Sequence, residues 1–180
     1  MGMSRAVIHR ERLLASARAA EGAGPRVVAR LRDLVYTHYL LHGRKLPWRV
    51  TRDPYAVFVS EVMLQQTPVN RVIPRYTAFL DHFPDWEALA GAGTAAVLRA
   101  WQGLGYNRRA LALRNSADEV VSNWNGILPS NPAALHSLPG IGPHTAASIA
   151  AFAFNVPTVF FETNIRAVLI HWFFSDGTDI

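Results

Sequence analysis

The chain has 180 residues, half of them apolar and 17% charged, a composition that fits one compact globular domain or two small ones. No apolar run reaches the roughly 18 residues that a membrane span needs. The absence of Cys excludes disulfides, thiolate metal sites and a cysteine nucleophile within these residues. The formal charge is +5, from 18 basic and 13 acidic residues. A basic surplus in a charge-poor chain favours a polyanionic partner, nucleic acid before membrane, although many basic proteins bind no polyanion.

The first 24 residues are rich in Arg and Ala and end in glycines just before Pro25. Arg richness is also typical of organelle transit peptides, but Glu11 and Glu21 weaken that interpretation. We therefore expect residues 1–24 to form a basic N-terminal extension outside the core, either a disordered arm or a helix.

From Pro25 onward, apolar side chains recur with a helical period, and pairs such as Asp53-Pro54 and Thr67-Pro68 are typical helix starts. The predicted helices cover approximately residues 25–41, 54–66, 68–80, 94–103, 107–124, 132–138, 143–154 and 164–174. No convincing run has the two-residue period of a strand. The predicted fold class is all-α, with eight or nine short helices.

The last predicted helix has an unusual composition. Its sequence IRAVLIHWFF is apolar almost all round, and such a helix needs cover on several sides. Either the helix that starts near Val27 covers it, or part of the domain lies outside these 180 residues.

Residues 132–153 carry the most specific local pattern, a short helix followed by Leu-Pro-Gly-Ile-Gly and a helix that starts at Pro143. Gly140 and Gly142 permit a tight turn, which would present backbone N–H groups at the N-terminus of the next helix. Such a turn can hold a DNA phosphate without reading a base. The alternative is an ordinary turn between helices, but the flanking residues favour a helix-hairpin-helix motif.

The chain resembles the helix-hairpin-helix base-excision DNA glycosylases, and within them the branch that acts on adenine opposite 8-oxoguanine or guanine. The resemblance covers approximately residues 46–168 and is carried by LPWR at 46–49, DPYAVFVSEVMLQQT at 53–67, VIPRY at 72–76, WQGLGYNRRA at 101–110, LPGIGPHTA at 138–146 and ETNIRAV at 162–168. It implies two helical lobes with a cleft between them. One lobe would be a six-helix lobe over 51–156, and the other would combine 25–50 with 157–180, incomplete at its C-terminal end.

Glu61 is the first candidate catalytic residue, because it is the only acid in a helix that is otherwise apolar or amide-bearing. A partly buried carboxyl group can hold a proton near neutral pH and act as a general acid. The alternative is a surface Glu on a polar helix face. The resemblance implies that Glu61 protonates N7 of an adenine that has left the helical stack.

Glu162 is the second candidate, and here the sequence departs from the family pattern, which has Asp at this position. The resemblance implies that this carboxylate, together with Asn164, stabilises the cationic sugar. The longer side chain leaves two interpretations open, an acid that works in a reshaped pocket or an activity that is weak or lost. A Glu that is merely favoured by the helix dipole is the third.

His144 lies where relatives that also cut the strand have a Lys that forms a Schiff base with the sugar. The only Lys in the chain is Lys45, in another segment, so we expect a monofunctional glycosylase. His144 could instead contact the extruded nucleotide, or it could be an ordinary surface His.

The resemblance assigns further residues to the base and to the duplex. Trp48, Arg49 and Leu64 would line the base pocket beside His144, although a core Trp and a solvated Arg are equally consistent with the sequence. DNA contacts, including residues that wedge into the duplex and residues that meet phosphates, would come from Gln65, Gln66, Thr67, Leu104, Tyr106, Arg108, Arg109, Gly140, Ile141, Gly142 and Thr145. Arg114 would add a phosphate contact, unless it belongs to a solvated basic face.

The family commonly binds a [4Fe–4S] cluster through Cys residues, and this chain has none to offer. Hairpins of the family can also hold a monovalent cation, here at the backbone carbonyls of His136, Leu138 and Ile141. The expected partner is double-stranded DNA with a mispaired or damaged base. We expect a monomer without membrane association or a targeting signal, in a bacterial-type cytoplasm or nucleoid.

The sequence therefore predicts a monofunctional DNA glycosylase of base excision repair that removes adenine mispaired with 8-oxoguanine or guanine. The alternatives are a thymine or uracil mismatch glycosylase on the same scaffold, and a weak or inactive helix-hairpin-helix DNA-binding module.

Overall fold

The structure is a computed structural model that describes residues 24–173, and within this range it contains nine α-helices, one short 3-10 helix and no strand. The predicted all-α class is confirmed. The helices are α1 (Pro25–His42), the 3-10 helix (Pro47–Arg49), α2 (Pro54–Leu64), α3 (Val69–His82), α4 (Trp86–Ala90), α5 (Thr94–Ala100), α6 (Arg108–Trp124), α7 (Pro132–His136), α8 (Pro143–Phe154) and α9 (Thr163–Phe173). The predicted extension over 1–24 lies, apart from Gly24, outside the described residues.

Side chains cap three of these helices at the residue before the first turn. Asp53 accepts hydrogen bonds from the N–H groups of Tyr55 and Ala56, at 3.3 and 3.1 Å, and so begins α2 as predicted. Asn131 accepts from Ala133 at 2.8 Å and begins α7. Asp85 does the same for α4, a helix absent from the sequence prediction because five residues are too few to show a period.

The predicted N-cap at Thr67 is wrong by one residue. Helix α3 begins at Val69 with Pro68 at its N-cap, and no side chain makes a capping hydrogen bond there. The Thr67 hydroxyl is instead directed to Arg109, whose guanidinium lies 2.8 Å from it. The side chain of Thr67 therefore belongs to a tertiary contact.

Residues 45–160 form one compact unit. Its core contains the largest fully buried side chains of the described chain, among them Phe58, Met63, Phe79 and Trp101. The N-terminal limit lies six residues before the predicted position 51, because the buried side chains of Leu46 and Trp48 belong to this core. Helices α3, α6 and α8 all pack against α2, so that α2 lies at the centre of the unit.

Helices α1 and α9 belong to the other unit, which comprises the described residues 24–44 and 161–173. In α1, Val27 is buried, whereas Leu40 and Leu41 are 81% and 72% exposed. The apolar side chains of Ile165 and Val168 in α9 are also more than one third exposed. Helix α1 thus has one buried side chain among 18 residues, whereas α2 of the 45–160 unit has eight among 11.

Candidate functional site

The carboxyl group of Glu61 lies between α2 and α8. Glu61 is half-buried near the end of α2, after six residues that are all buried. Ser148 of α8, which is only 3% exposed, donates a hydrogen bond from its Oγ to Glu61 Oε2 at 2.6 Å. The sequence analysis did not single out Ser148, although a hydroxyl within an apolar helix face is a detectable signal.

Gln65 joins the end of α2 to the predicted hairpin. Its Nε2 donates to the carbonyl of Gly140 and to the hydroxyl of Thr145, both at 3.2 Å. The resemblance gives Gln65 a place inside the duplex, but in this structure its amide makes contacts within the protein. Gln65 therefore brings the predicted DNA-contacting segment after α2 against the loop between α7 and α8.

Arg109 joins the same segment to the loop that precedes α6. Its side chain is 7% exposed, and its two terminal nitrogens donate to backbone carbonyls on both sides and to one hydroxyl. The acceptors in the last turn of α2 are the carbonyls of Val62 and Met63, both at 3.1 Å, and those just after it are the carbonyl of Gln65 and the hydroxyl of Thr67. The acceptors before α6 are the carbonyls of Leu104 and Gly105, at 3.1 and 3.2 Å.

Burial lowers the pKa of the Arg109 guanidinium from its ordinary value, and the neighbouring Tyr106 partly opposes this effect. The guanidinium nevertheless stays charged at neutral pH, as arginine does in proteins generally. Its positive charge faces the carbonyl end of α2, where the helix dipole is negative. The acceptors of Arg109 described above are all groups of the protein, as for a structural residue, whereas the sequence analysis predicts a phosphate contact.

The turn before α8 requires glycine at position 140. Gly140 has a φ of +74°, and a Cβ at this position would lie 2.8 Å from the Cβ of Ala112 on α6. Gly142 is the N-cap of α8, and no described side chain caps this helix end. The first-turn amides of α8 therefore carry no competing side-chain acceptor, which is the arrangement that suits an anion.

The predicted DNA-contacting residues fall into three groups by burial. The side chains of Thr67, Leu104, Arg109 and Ile141 are buried, with exposures of 7% or less, so a direct side-chain contact to DNA is not available to them in this structure. Gln65, Thr145 and Gly142 are half-buried. The exposed members are Gln66, Tyr106, Arg108 and Gly140.

Two of the exposed residues have an unusual backbone. Gln66 and Tyr106 have φ angles of +55° and +49°, in the left-handed region that few residues other than Gly, Asn and Asp adopt. Both lie in the segments that Arg109 holds together, and the Tyr106 ring lies 5.5 Å from its guanidinium. Arg114 is not part of this arrangement, because its guanidinium donates to the carbonyls of Ala90 and Ala92.

The residues of the predicted base pocket differ in how deeply they are buried. Trp48 is 8% exposed and packs edge to face on Tyr76, with ring centroids 5.4 Å apart, as a core residue does. Arg49 and His144 are exposed, and Leu64 is half-buried. Glu162 and Asn164 are also exposed, at the start of α9 in the other unit, where the Glu162 carbonyl accepts from the N–H of Arg166 at 2.9 Å.

The residues present do not fit an iron–sulfur cluster, because none of the 180 residues is Cys. Within residues 24–173, no group of three or more His, Asp or Glu side chains is arranged to hold a metal ion. Of the predicted cation ligands, the Leu138 carbonyl accepts from the N–H of Ile141 at 3.1 Å, and the Ile141 carbonyl lies 2.8 Å from His136 Nδ1. Each carbonyl keeps a second lone pair, and a cation here stays a prediction.

The family of the chain follows from comparison with known proteins. Residues 59–179 match the HhH-GPD superfamily of base excision DNA repair proteins. The match covers more than half of the chain and includes Glu61, the hairpin and Glu162. The chain therefore belongs to this family, as the sequence motifs predicted.

Individual relatives carry a more particular name. The chain is 40% identical over 139 residues to an adenine DNA glycosylase of Buchnera aphidicola, which covers 77% of this chain and 39% of that protein. It is 43% identical over 130 residues to the adenine DNA glycosylase of Mycolicibacterium smegmatis, covering 71% of this chain and 44% of that protein. The human adenine DNA glycosylase is 38% identical over 151 residues, which are 79% of this chain and 28% of the human protein. The chain thus spans less than half the length of these relatives.

Solved structures share the fold. A thermostable thymine-DNA glycosylase superposes with a TM-score of 0.71 at 23% identity, over 92% of this chain and 69% of that one. Endonuclease III in a non-covalent complex with DNA superposes with a TM-score of 0.67 at 18% identity, over 78% of this chain and 66% of that one. No helix within the described residues is long and apolar enough to cross a membrane.

Proposed function

We propose that this chain carries the catalytic machinery of a monofunctional DNA glycosylase that removes adenine mispaired with 8-oxoguanine or guanine. The observation that carries the proposal is the carboxyl group of Glu61, which is anchored between α2 and α8 next to the hairpin. The relatives that are named adenine DNA glycosylase, at 38% to 43% identity, support the choice of base.

Glu61 is the general acid of the proposed reaction. The target adenine leaves the helical stack, because its N-glycosidic bond cannot be reached inside the duplex. Glu61 donates its proton to N7 of the adenine, and the bond between the base and C1′ of the sugar breaks with both electrons going to the base. Water then adds to C1′ and loses a proton, which leaves an abasic site.

Glu162 and Asn164 act on the sugar in this proposal. The sugar becomes positively charged as the base departs, and a carboxylate close to it lowers the energy of that state. Glu162 belongs to a different unit from Glu61, and its role in the proposal comes from the position of its segment in the family motif. The exposed side chains of Gln66, Tyr106 and Arg108 would contact the duplex around the extruded base.

The absence of a lyase step is also part of the proposal. An amine that attacks C1′ would have to come from a Lys, and the hairpin position carries His144 instead. The single Lys of the chain, Lys45, precedes the 3-10 helix. We therefore expect base release without strand cleavage.

One experiment separates the candidate activities. The chain is incubated with end-labelled duplexes that contain A:8-oxoG, A:G, T:G or U:G, and half of each sample is then treated with alkali. We expect alkali-dependent breaks in the two adenine duplexes alone. Breaks in T:G or U:G would make the chain a thymine or uracil glycosylase, breaks without alkali would contradict the monofunctional assignment, and binding without any product would indicate an inactive DNA-binding module.

Glu61→Gln tests the acid directly. The amide keeps the size of the side chain but carries no transferable proton, so we expect adenine release to fall by at least about a thousandfold, since general acid catalysis contributes factors of this order. DNA affinity should change by less than about threefold, because the duplex is held elsewhere. Glu87→Gln, an exposed substitution on α4, serves as the control. Persistent turnover in Glu61→Gln would show that another group supplies the proton.

A further inference from the structure

Ser148 has two acceptors within reach and one hydrogen to give. Its Oγ lies 2.6 Å from Glu61 Oε2 and 3.0 Å from the carbonyl oxygen of Thr145, one turn earlier on α8. A serine hydroxyl donates one hydrogen bond at a time. The shorter distance lies in the range of a hydrogen bond from a hydroxyl to a carboxylate, so the geometry favours Glu61 as the acceptor.

We propose that Ser148 is a positioning residue, which holds the Glu61 carboxyl group through Oε2 in the orientation from which its proton is transferred. This inference rests on the proposed role of Glu61 as the general acid. The hydrogen bond joins a buried side chain of α8 to the carboxyl group of α2, and these two helices pack against each other. The orientation of the acid is therefore fixed before the base arrives.

The same hydrogen bond acts after the proton has moved. Transfer of the proton from Glu61 to the base leaves the carboxyl group negatively charged, and a hydrogen bond to a charged acceptor is stronger than one to a neutral acceptor. Ser148 consequently stabilises the carboxylate that remains, which favours release of the proton. Because Ser148 is only 3% exposed, water does not compete for its hydroxyl as it would at the surface.

Other ionisable groups near α2 stay the same when Ser148 is changed. On the elements packed against α2, these groups are Arg49 of the 3-10 helix, Arg71, Arg75, Tyr76, Asp81 and His82 of α3, Arg108, Arg109, Arg114, Asp118 and Glu119 of α6, and His144 of α8. Tyr76 donates to the carbonyl of Ala56, and Arg109 donates to the carbonyls named above. A difference between variants at position 148 therefore reports the lost hydroxyl.

The test compares Ser148→Ala with Ser148→Thr, which retains a hydroxyl. Adenine release is measured in single turnover across pH, DNA affinity is measured separately, and the titration of the Glu61 carboxyl is followed by ¹³C NMR in labelled protein. We expect Ser148→Ala to lower the maximal rate about tenfold, with DNA affinity changed less than twofold, and to raise the Glu61 midpoint by roughly half a pH unit or more. Ser148→Thr should restore both values to near those of the original chain.

Ser60→Ala is the matched control. Ser60 is a buried serine of α2 that donates to the carbonyl three residues earlier, Val57, at 2.7 Å, and no hydrogen bond joins its hydroxyl to Glu61. If Ser148→Ala leaves both the rate and the midpoint unchanged, or if Ser60→Ala changes them equally, the inference is overturned. An original chain that releases no adenine contradicts the proposed function, whereas the NMR titration still decides whether Ser148 holds Glu61.

Discussion

Glu162 stands where the family pattern has an Asp, and its extra methylene moves the carboxylate by about 1.3 Å if the backbone stays in place. A displacement of this size costs on the order of a hundredfold in rate when the geometry around the reacting atoms is tight. The retained negative charge, next to the matching Asn164, favours a pocket that has adapted to the longer side chain.

Glu162→Asp is therefore expected to lower the rate of adenine release by about tenfold or more, because the shorter side chain withdraws its charge from the sugar. The measurement is the single-turnover rate on an A:8-oxoG duplex. Glu162→Gln, which keeps the length but removes the charge, should be slower still. A faster Glu162→Asp enzyme would instead show that the native carboxylate is displaced.

Single residues of the candidate site could be predicted from the sequence where a local pattern marks them. Glu61 could be found because it is the only acid in an apolar helix, and the structure places it half-buried there. Ser148, which donates to Glu61, lies 87 residues away in sequence, so that its hydroxyl could be noticed within an apolar helix but its contact with Glu61 could not be predicted. Burial of Arg109 was equally hidden, because a basic residue after a glycine loop looks like a phosphate ligand.

At the scale of elements, Arg109 connects the end of α2 to the loop before α6 through six hydrogen-bond acceptors. We expect Arg109→Met to lower the free energy of unfolding by about 2–4 kcal/mol, because the apolar side chain leaves buried carbonyls without their donors. Urea denaturation followed by circular dichroism measures this loss.

The neighbouring Arg108 provides the control for this substitution, since its side chain is exposed. Arg108→Met should change the free energy of unfolding by less than about 0.5 kcal/mol. Within the proposed function, it should also reduce the salt dependence of DNA binding by about one ion. Equal stability losses in the two variants would contradict the separate roles of these arginines.

Helix positions could be predicted well where a cap or a glycine marks the end. Helix α8 has the predicted bounds, and α6 begins one residue after the predicted position. Helix α4 could not be found from its period, and the false start at Thr67 arose because a distant arginine takes up the hydroxyl that would have capped the helix. The contact with Arg109 therefore explains both why the Thr67 hydroxyl is buried and why it does not cap α3.

At the scale of the whole molecule, two buried tyrosines make the free energy of unfolding depend on pH in the alkaline range. Burial, with a smaller contribution from Asp53, raises the pKa of Tyr76 to about 12. Burial also raises the pKa of Tyr55, whose hydroxyl donates to the carbonyl of Phe83 at 2.6 Å. Both groups are neutral in the folded protein at a pH where they ionise in the unfolded chain.

A raised tyrosine pKa stabilises the fold fully below the unfolded value of 10, and this contribution is lost as the pH rises from 10 towards 12. We therefore expect the urea midpoint to fall across this interval. Tyr76→Phe should make the decline shallower, whereas Tyr36→Phe, at a ring that is 62% exposed, should leave it unchanged. A midpoint that stays constant up to pH 12 would contradict the burial of these hydroxyls.

Gln66 and Tyr106 both have a left-handed backbone, in the two segments that Arg109 joins. This conformation lowers the stability of the fold at both positions. Glycine would adopt either conformation without the steric cost of about 1 kcal/mol that a larger residue incurs. The chain nevertheless carries a glutamine amide and a phenol ring at these two positions. Within the proposed function, these two side chains contact the double helix, so glycines at both positions would give a more stable protein that discriminates its lesion less well.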